Sequence, residues 1–160
     1  MTVEPQKEHA WLQKLVGEWT SEMECAAGPD KPPETFRGTD TGRPVGDVWV
    51  QLEGRGQMPD GKPALTVMTL GYDPAKKKFV GTFIGSMMMH LWLYEGTLDE
   101  TGQILTLDTE GPDFATAGKT SKYKDVIEFK DDNYRLLTSH MPGPDGQWTQ
   151  FMKAEYRRVK

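Results

Sequence analysis

Apolar residues at the start of this chain recur with a helical period, and the rest of the chain alternates with a period of two. Within residues 5–16 the apolar positions follow offsets of three and four: Trp11, Leu12, Leu15 and Val16. This spacing places them on one face of a helix. Pro5 suits a first helical turn and Gly17 a helix end. We therefore predict one short amphipathic helix over 5–16, which must dock on the rest of the protein to be stable.

Beyond Gly17, turn signals divide the chain into ten segments. Clusters of Gly, Pro, Asp and Asn mark the gaps, because these residues favour turn geometry. The predicted strands are residues 17–27, 34–43, 46–57, 62–72, 77–86, 90–98, 103–110, 119–130, 133–141 and 147–159. A further bend is expected between Ser86 and His90. Almost every connection is too short for a crossover helix, so neighbouring strands are predicted to run antiparallel.

Closure of these strands into a barrel is the simplest arrangement. A flat ten-stranded sheet tends to curl and exposes two edges. With an even number of strands, the first and last can pair antiparallel and remove both edges. We predict an all-β fold, an antiparallel up-and-down β-barrel of about ten strands with a short N-terminal helix. Residues 1–160 are expected to form a single domain. Eight strands can hold one small ligand, so ten should leave room inside.

Composition narrows the range of partners and locations. The formal net charge of -5 disfavours nucleic acid as a partner. The lone Cys25 cannot form an internal disulfide, and no signal peptide is visible. The longest apolar stretch, residues 87–94, is too short to span a membrane. We expect a cytoplasmic protein whose partner is a small hydrophobic molecule, with a homodimer as an open alternative to a monomer.

The candidate binding residues are Trp, Met and His positions in or near apolar strands. The chain has five Trp and nine Met, two residue types that adapt well to ligands in pockets. His90 shares one strand face with Trp92 and Tyr94, and the sequence leaves open whether that face points inward. In the alternative, His90 bonds a loop carbonyl at the start of a strand. The predicted ligand-binding residues are Trp49, Met87, Met88, Met89, His90, Trp92, Tyr94 and His140.

No motif identifies a catalytic centre or a metal site. Catalytic residues therefore stay unassigned, and no metal or other resident cofactor is expected with the leading interpretation. Glu95, Asp108 and Glu110 lie within predicted strands. Facing a cavity, such carboxylates would have raised pKa values and could act as acid or base. The simpler interpretation places them on the solvent face.

The start of the first strand carries a known signature. Gly17-Glu18-Trp19 matches the Gly-x-Trp pattern that opens lipocalin and other calycin barrels. The chain resembles a bacterial lipocalin-like family catalogued as a domain of unknown function. The resemblance rests on residues 9–19, 70–74, 80–83, 90–96 and 107–111. More distantly, it resembles the haem-binding nitrobindins and the fatty-acid-binding proteins. It implies a lipocalin-like barrel with Trp19 packed across one end, and it supplies no catalytic residues.

Four functional hypotheses follow. The leading one is a carrier or sensor that holds a hydrophobic or amphipathic small molecule inside the barrel. A second is an enzyme, such as an isomerase, cyclase or hydrolase, that uses His90 with Tyr94 or Glu95. A third is haem binding with His90 or His140 as axial ligand. The fourth is a structural barrel whose interior is filled by its own side chains.

Overall fold

The structure, a computed structural model, describes residues 3–28 and 30–160. One helix and ten strands account for most of these residues. They are α1 (Lys7–Gln13), β1 (Gly17–Cys25), β2 (Glu34–Val45), β3 (Trp49–Gln57), β4 (Pro63–Asp73), β5 (Lys78–Gly85), β6 (Trp92–Leu98), β7 (Ile104–Pro112), β8 (Thr120–Asp131), β9 (Tyr134–Pro142) and β10 (Trp148–Arg158). The predicted turn over 28–33 includes Pro29, which lies outside the described residues.

The ten strands form a closed barrel. Each strand pairs antiparallel with its neighbours in sequence, and β1 completes the ring by pairing with β10 from Trp19↔Arg158 to Cys25↔Met152. Side chains alternate between the interior and solvent, as in β6, where Trp92 and Tyr94 are buried and Leu93 is exposed. The predicted fold class, an antiparallel barrel of ten strands with one short helix, is confirmed.

Helix α1 closes one end of the barrel. The indole N–H of Trp11 donates to the carbonyl oxygen of Gly102 at 2.6 Å, and Nε2 of His9 donates to that of Tyr72 at 3.0 Å. Leu12 and Leu15 are fully buried. These contacts join the helix to the end of β4 and to the turn between β6 and β7. The apolar face of the helix therefore closes this end of the barrel, as its amphipathic pattern requires.

The predicted helix, residues 5–16, was too long at both ends. The amide nitrogens of Lys14, Leu15 and Val16 bond to carbonyls three residues earlier, at 3.1, 3.0 and 3.1 Å. This tighter turn ends the α-helix at Gln13, directs Leu15 inward and leads the chain into β1. The chain enters β1 at Gly17 with φ +133°, where a side chain would collide with Arg158.

Trp19 packs across the closed end, as the resemblance implies. Its indole N–H donates to the carbonyl oxygen of Leu15 at 3.1 Å. The guanidinium of Arg158 lies 4.2 Å from the ring centroid and donates to the carbonyl oxygens of Val16 and Lys14 at 2.7 and 2.8 Å. Trp19 and Arg158 therefore tie the two terminal strands to the end of the helix.

Candidate functional site

The barrel interior has a filled half and a hollow half. Next to α1 the interior is packed by large apolar side chains: Trp11, Leu12, Leu15, Trp19, Val50, Leu70, Phe79, Leu105, Leu107, Ile127 and Phe129. Towards the opposite end, a cavity of about 190 Å³ lies between the strands. Two loop residues at that end, Met88 and Phe114, contribute to its wall. This hollow half is the candidate functional site.

The wall of the cavity is mainly aromatic and thioether. Its apolar members are Met23, Met68, Phe83, Met88, Trp92, Tyr94, Phe114, Tyr123, Leu137, Phe151, Met152 and Tyr156. Its polar members are Thr66, Thr109, Asp125 and Ser139. An apolar protein cavity of roughly 150 Å³ is large enough to bind benzene. The cavity here therefore has room for a molecule about the size of a single substituted ring.

Aromatic rings in edge-to-face and tilted contacts surround the open end of the cavity. The rings of Trp92 and Tyr123 lie 5.3 Å apart at 87°, and Phe114 is 5.4 Å from Tyr123 and 6.1 Å from Phe151. The hydroxyl of Tyr123 donates to the carbonyl oxygen of Pro112 at 2.7 Å and so holds the start of the β7–β8 loop. Phe114, on that loop, is 63% exposed and forms the outer rim.

A carboxylate held by two hydroxyls faces this apolar space. Asp125 lies on β8 between Tyr123 and Ile127, on the inward face. Ser139 donates to its Oδ1 at 2.6 Å, and the Tyr94 hydroxyl donates to its Oδ2. Burial raises the pKa of Asp125, although both hydrogen bonds oppose the shift. Burial and the negative charge of Asp125 hold the pKa of Tyr94 well above its usual range, so Tyr94 remains a donor.

A buried ion pair lies deeper in the barrel. Nη2 of Arg135 donates to Oδ2 of Asp40 at 2.8 Å, and the guanidinium lies 4.7 Å from the ring of Trp19 and 3.9 Å from that of Tyr156. Burial, and next the charge of Asp40, raise the pKa of Tyr156 to about 12. Tyr156 lines the cavity and Arg135 does not. The aromatic ring therefore separates the ion pair from the hollow.

The β6–β7 seam, defined by residues 92–94 and 109–112, is a stretch where two neighbouring strands are not paired. The ladder runs only from Leu98↔Leu105 to Glu95↔Asp108. Beyond it, His90 Nε2 donates to the carbonyl oxygen of Glu110 at 3.2 Å. Outside the seam lies a groove of about 710 Å³, and three of its lining residues also line the cavity, namely Tyr94, Thr109 and Tyr123. The seam is thus the part of the barrel wall that separates the outer groove from the cavity.

Three of the eight predicted binding residues meet on the cavity wall. Met88, Trp92 and Tyr94 line it together, and the indole N–H of Trp92 donates to the Met88 sulfur at 2.9 Å. This arrangement answers the question that the sequence left open, because the face with Trp92 and Tyr94 points inward. The expected bend after Ser86 is present and turns Met88 back towards the barrel.

The other five predicted residues lie elsewhere. His90 stacks edge-on against Trp92 with ring centroids 4.7 Å apart, and it lines the outer groove rather than the cavity. Met89 is fully exposed and Met87 is 41% exposed. Trp49 packs over Gly71 on the outside of the barrel, because β3 buries the alternate residues Val50 and Leu52.

His140 also lies on the outer face. Its Nε2 is 3.0 Å from the Thr138 hydroxyl, and β9 turns the alternate residues Leu137 and Ser139 to the cavity. Burial lowers the pKa of His140. The imidazole is therefore a neutral group of the barrel wall near neutral pH.

Sequence reasoning missed the interior carboxylate. Glu95, Asp108 and Glu110 are exposed, in agreement with the solvent-face interpretation. The interior acid is instead Asp125. A period-two signal was available, because Asp125 alternates with Tyr123, Ile127 and Phe129, all of which are buried.

The distant resemblance to nitrobindins makes the fit of haem a question for this site. Among the described residues no histidine lines the cavity. His9 is bonded at the closed end, His90 lies outside the seam and His140 is on the outer wall. A cavity of about 190 Å³ also suits one ring rather than a porphyrin. These donors and this volume do not fit a histidine-ligated haem.

Replacing Asp125 by Asn should raise the free energy of unfolding at pH 7. Because the folded-state pKa is above the ordinary value, the fold favours the protonated form and is least stabilised when the carboxyl is ionised. The free energy of unfolding of the wild type should therefore increase as the pH falls from the raised folded-state pKa of Asp125 towards the ordinary pKa of the unfolded chain. The advantage of Asp125→Asn should shrink from pH 7 to pH 4 in urea unfolding.

The matched control for this experiment is Asp108→Asn, which removes an exposed carboxylate from the outer face of the adjacent strand. It should change stability by under about 0.5 kcal/mol at both pH values. A lower stability of Asp125→Asn than of wild type at pH 7 would contradict the expected cost of the buried charge.

The fold and site define a small antiparallel β-barrel with a partly hollow interior. Residues 4–158 match the model of a family described as protein of unknown function (DUF1579), and the chain belongs to that family. No protein of curated function matches the sequence. In the described part of the chain, no helix has the length and apolar character needed to cross a bilayer.

Solved structures with similar folds share little sequence. Rv2717c from M. tuberculosis is 15% identical, with 98% of this chain and 100% of that chain covered and a TM-score of 0.69. The S-type phycobiliprotein lyase CPES from Guillardia theta is 15% identical, with coverages of 98% and 99% and a TM-score of 0.58. The redesigned β-barrel mFAP0, bound to DFHBI, is 14% identical, with coverages of 91% and 100% and a TM-score of 0.50. Likeness at these identities shows the fold.

Proposed function

We propose that this protein binds a small hydrophobic or amphipathic molecule in the interior cavity, as a carrier or sensor. The observation that carries the proposal is the apolar space of about 190 Å³ in a barrel whose other half is solidly packed. Unfilled apolar volume lowers the stability of a protein core. The same sequence fills the closed end with Trp, Phe and Leu, so the hollow at the other end is a specific feature of this chain.

The wall chemistry supports the same proposal. Methionine side chains adapt their shape to irregular partners, and aromatic rings offer large flat contact surfaces. The Gly17-Glu18-Trp19 start and the Arg158 contact with Trp19 support a lipocalin-like assignment. The mFAP0 barrel of similar fold is bound to the small molecule DFHBI, which supports a binding role for this architecture.

The area that such a ligand buries sets the expected strength of binding. A one-ring ligand that buries roughly 200 Å² of apolar surface gains about 5 kcal/mol before ordering costs. This gain alone corresponds to a dissociation constant of about 0.2 mM, and the ordering costs weaken it towards the millimolar range. In the proposed complex, Met88, Trp92 and Tyr94 contact the ligand directly. His90 and Met89 line an adjoining groove of about 380 Å³ that would receive any part projecting from the mouth.

A neutral fluorescent probe, N-phenyl-1-naphthylamine, should bind with its phenyl ring in the cavity and its naphthyl group in the adjoining groove. The bound probe should quench tryptophan emission by energy transfer. Trp92 is the tryptophan that lines the cavity, so the Trp92→Phe variant removes the donor in contact with the probe and should lose part of the quenching while probe emission still rises. Toluene, a single-ring competitor, should displace the probe from the wild type. Both signals are read from one fluorescence titration.

Two variants test whether the probe is inside the barrel. Leu137→Phe enlarges a side chain that lines the cavity, and it should weaken probe binding about tenfold. Leu136→Phe makes the same change on the outer face of the same strand and should leave binding unaltered. Equal effects of the two variants, or the absence of any binding by the wild type, would count against an interior site.

A further inference from the structure

The charged groups inside the barrel do not balance one another. Two carboxylates of the described residues point inward. Asp40 is neutralised by Arg135 at 2.8 Å. Asp125 has no ion-pair partner among the described residues, and its two hydrogen bonds come from the neutral hydroxyls of Tyr94 and Ser139. The cavity therefore contains one carboxylate whose charge is not compensated by the protein.

Three basic side chains of β8 and β9 stay out of the cavity. Lys124 neighbours Asp125 on β8, but its Nζ stacks over the ring of Trp148 on the outer surface at 4.7 Å. His140 faces outward on β9, and burial lowers its pKa, so that it is neutral near pH 7. Arg135 is held by Asp40 and covered by Tyr156. None of these three side chains lines the cavity.

The hydrogen bonds of Asp125 leave it able to accept more. An ionised carboxylate has about four lone-pair sites and accepts only. The hydroxyls of Tyr94 and Ser139 occupy one site on each oxygen. Because Asp125 itself lines the cavity, its remaining sites are available to a molecule inside. A ligand that matches them must supply hydrogen-bond donors, and a positive charge on those donors would neutralise the carboxylate.

The rest of the wall is suited to the same chemistry. Cations are attracted to the faces of aromatic rings, most strongly to Trp and Tyr. Trp92, Tyr123 and Tyr156 surround the space in front of Asp125. An anion such as a fatty-acid carboxylate would instead meet Asp125 with no available guanidinium. Burying any ion without a partner is costly. The cavity should therefore discriminate strongly between cationic and anionic ligands.

We propose that the cavity selects small hydrophobic amines, whose ammonium group pairs with Asp125 while the hydrocarbon part packs against the aromatic and methionine wall. This inference rests on the proposed function, because it assigns a ligand class to the same cavity. The volume of about 190 Å³ limits the hydrocarbon part to about one ring.

Three ligands of nearly equal size test the charge requirement: benzylamine, benzyl alcohol and benzoate. Calorimetric titration at pH 7 should show wild type binding benzylamine about tenfold or more tightly than benzyl alcohol, with benzoate weakest. The Asp125→Asn variant should bind benzylamine no more tightly than benzyl alcohol, because the ammonium group then has no carboxylate partner. Asp108→Asn removes an exposed carboxylate and should keep the wild-type order.

The outcomes separate this inference from the proposed function. Equal affinities of wild type for the amine and the alcohol, or a preference for the amine that survives in Asp125→Asn, would overturn the amine class and leave small-molecule binding standing. If wild type binds none of the three ligands and does not bind N-phenyl-1-naphthylamine, both fail. The wild-type comparison decides the charge requirement even where Asp125→Asn does not fold.

Discussion

Replacing Asp40 by Leu should lower the free energy of unfolding by about 3–5 kcal/mol, because it leaves Arg135 buried without its partner. Arg135 is 2% exposed, and its Nη2 lies 2.8 Å from the Asp40 carboxylate. Its contacts with the rings of Trp19 and Tyr156 supply no negative charge to replace that carboxylate. Equilibrium unfolding in urea, followed by circular dichroism, measures the loss.

Two controls separate the pair from its surroundings. The double variant Asp40→Leu/Arg135→Leu should recover part of the lost free energy of unfolding, because it removes both charges instead of leaving one buried without a partner. Glu53→Ala removes the partner of Arg55 from a solvent-exposed ion pair with a separation of 2.6 Å, and it should cost under about 1 kcal/mol. Equal costs for Asp40→Leu and Glu53→Ala would show that burial of the pair has no energetic consequence.

Trp19→Ala should be the other strongly destabilising change, with a loss of about 3–5 kcal/mol. Trp19 is 1% exposed, and its indole packs between two guanidinium groups, those of Arg135 at 4.7 Å and Arg158 at 4.2 Å. Truncation opens a void at the closed end and removes the hydrogen bond to Leu15. Thermal and urea unfolding both report the effect.

Trp148→Ala is the matched control, because Trp148 is 43% exposed and contacts Lys124 on the surface. We expect a cost of about 1 kcal/mol or less. A Trp19→Ala variant as stable as Trp148→Ala would rule out an organising role for the Trp19 and Arg158 contacts at the closed end.

Period-two alternation predicted the architecture well because each barrel strand has one face towards solvent and one face towards the interior. The bounds differ from the predicted ones where a local contact intervenes. The sixth strand begins at Trp92 rather than at His90, since His90 precedes the strand and bonds across the seam to Glu110. The seventh strand extends past residue 110 to Pro112, which pairs with Thr120.

The site was harder to predict, because apolar residues occupy both faces of some strands. In β9, Leu136 and Leu137 are adjacent, so hydrophobicity does not tell which one points inward. The true inward set includes Arg135, whose burial depends on Asp40, a residue 95 positions away in sequence. The local pattern contains no information on such a partner, and the sequence prediction therefore names His140 on the opposite face of the strand.

The size of the hollow was also beyond the sequence pattern. Strand number predicts interior room for the whole barrel, but α1 and its neighbours fill half of it. Trp11 reaches in far enough to contact Phe79 and Phe129, with ring centroids 6.0 and 5.5 Å away. The depth to which a docked helix inserts its side chains depends on tertiary contacts such as the Trp11 bond to Gly102.

The unpaired stretch between β6 and β7 has a mechanical consequence, because the other neighbouring strands of the closed barrel are hydrogen-bonded to each other. Parting the two strands there breaks no main-chain ladder bond, because the ladder already ends at Glu95↔Asp108. What bridges the gap is the imidazole bond from His90 to Glu110 and the Trp92 indole resting on Gly111. For the ligand of the proposed function, this stretch would offer a lateral route into the cavity while the nine other strand pairs stay hydrogen-bonded.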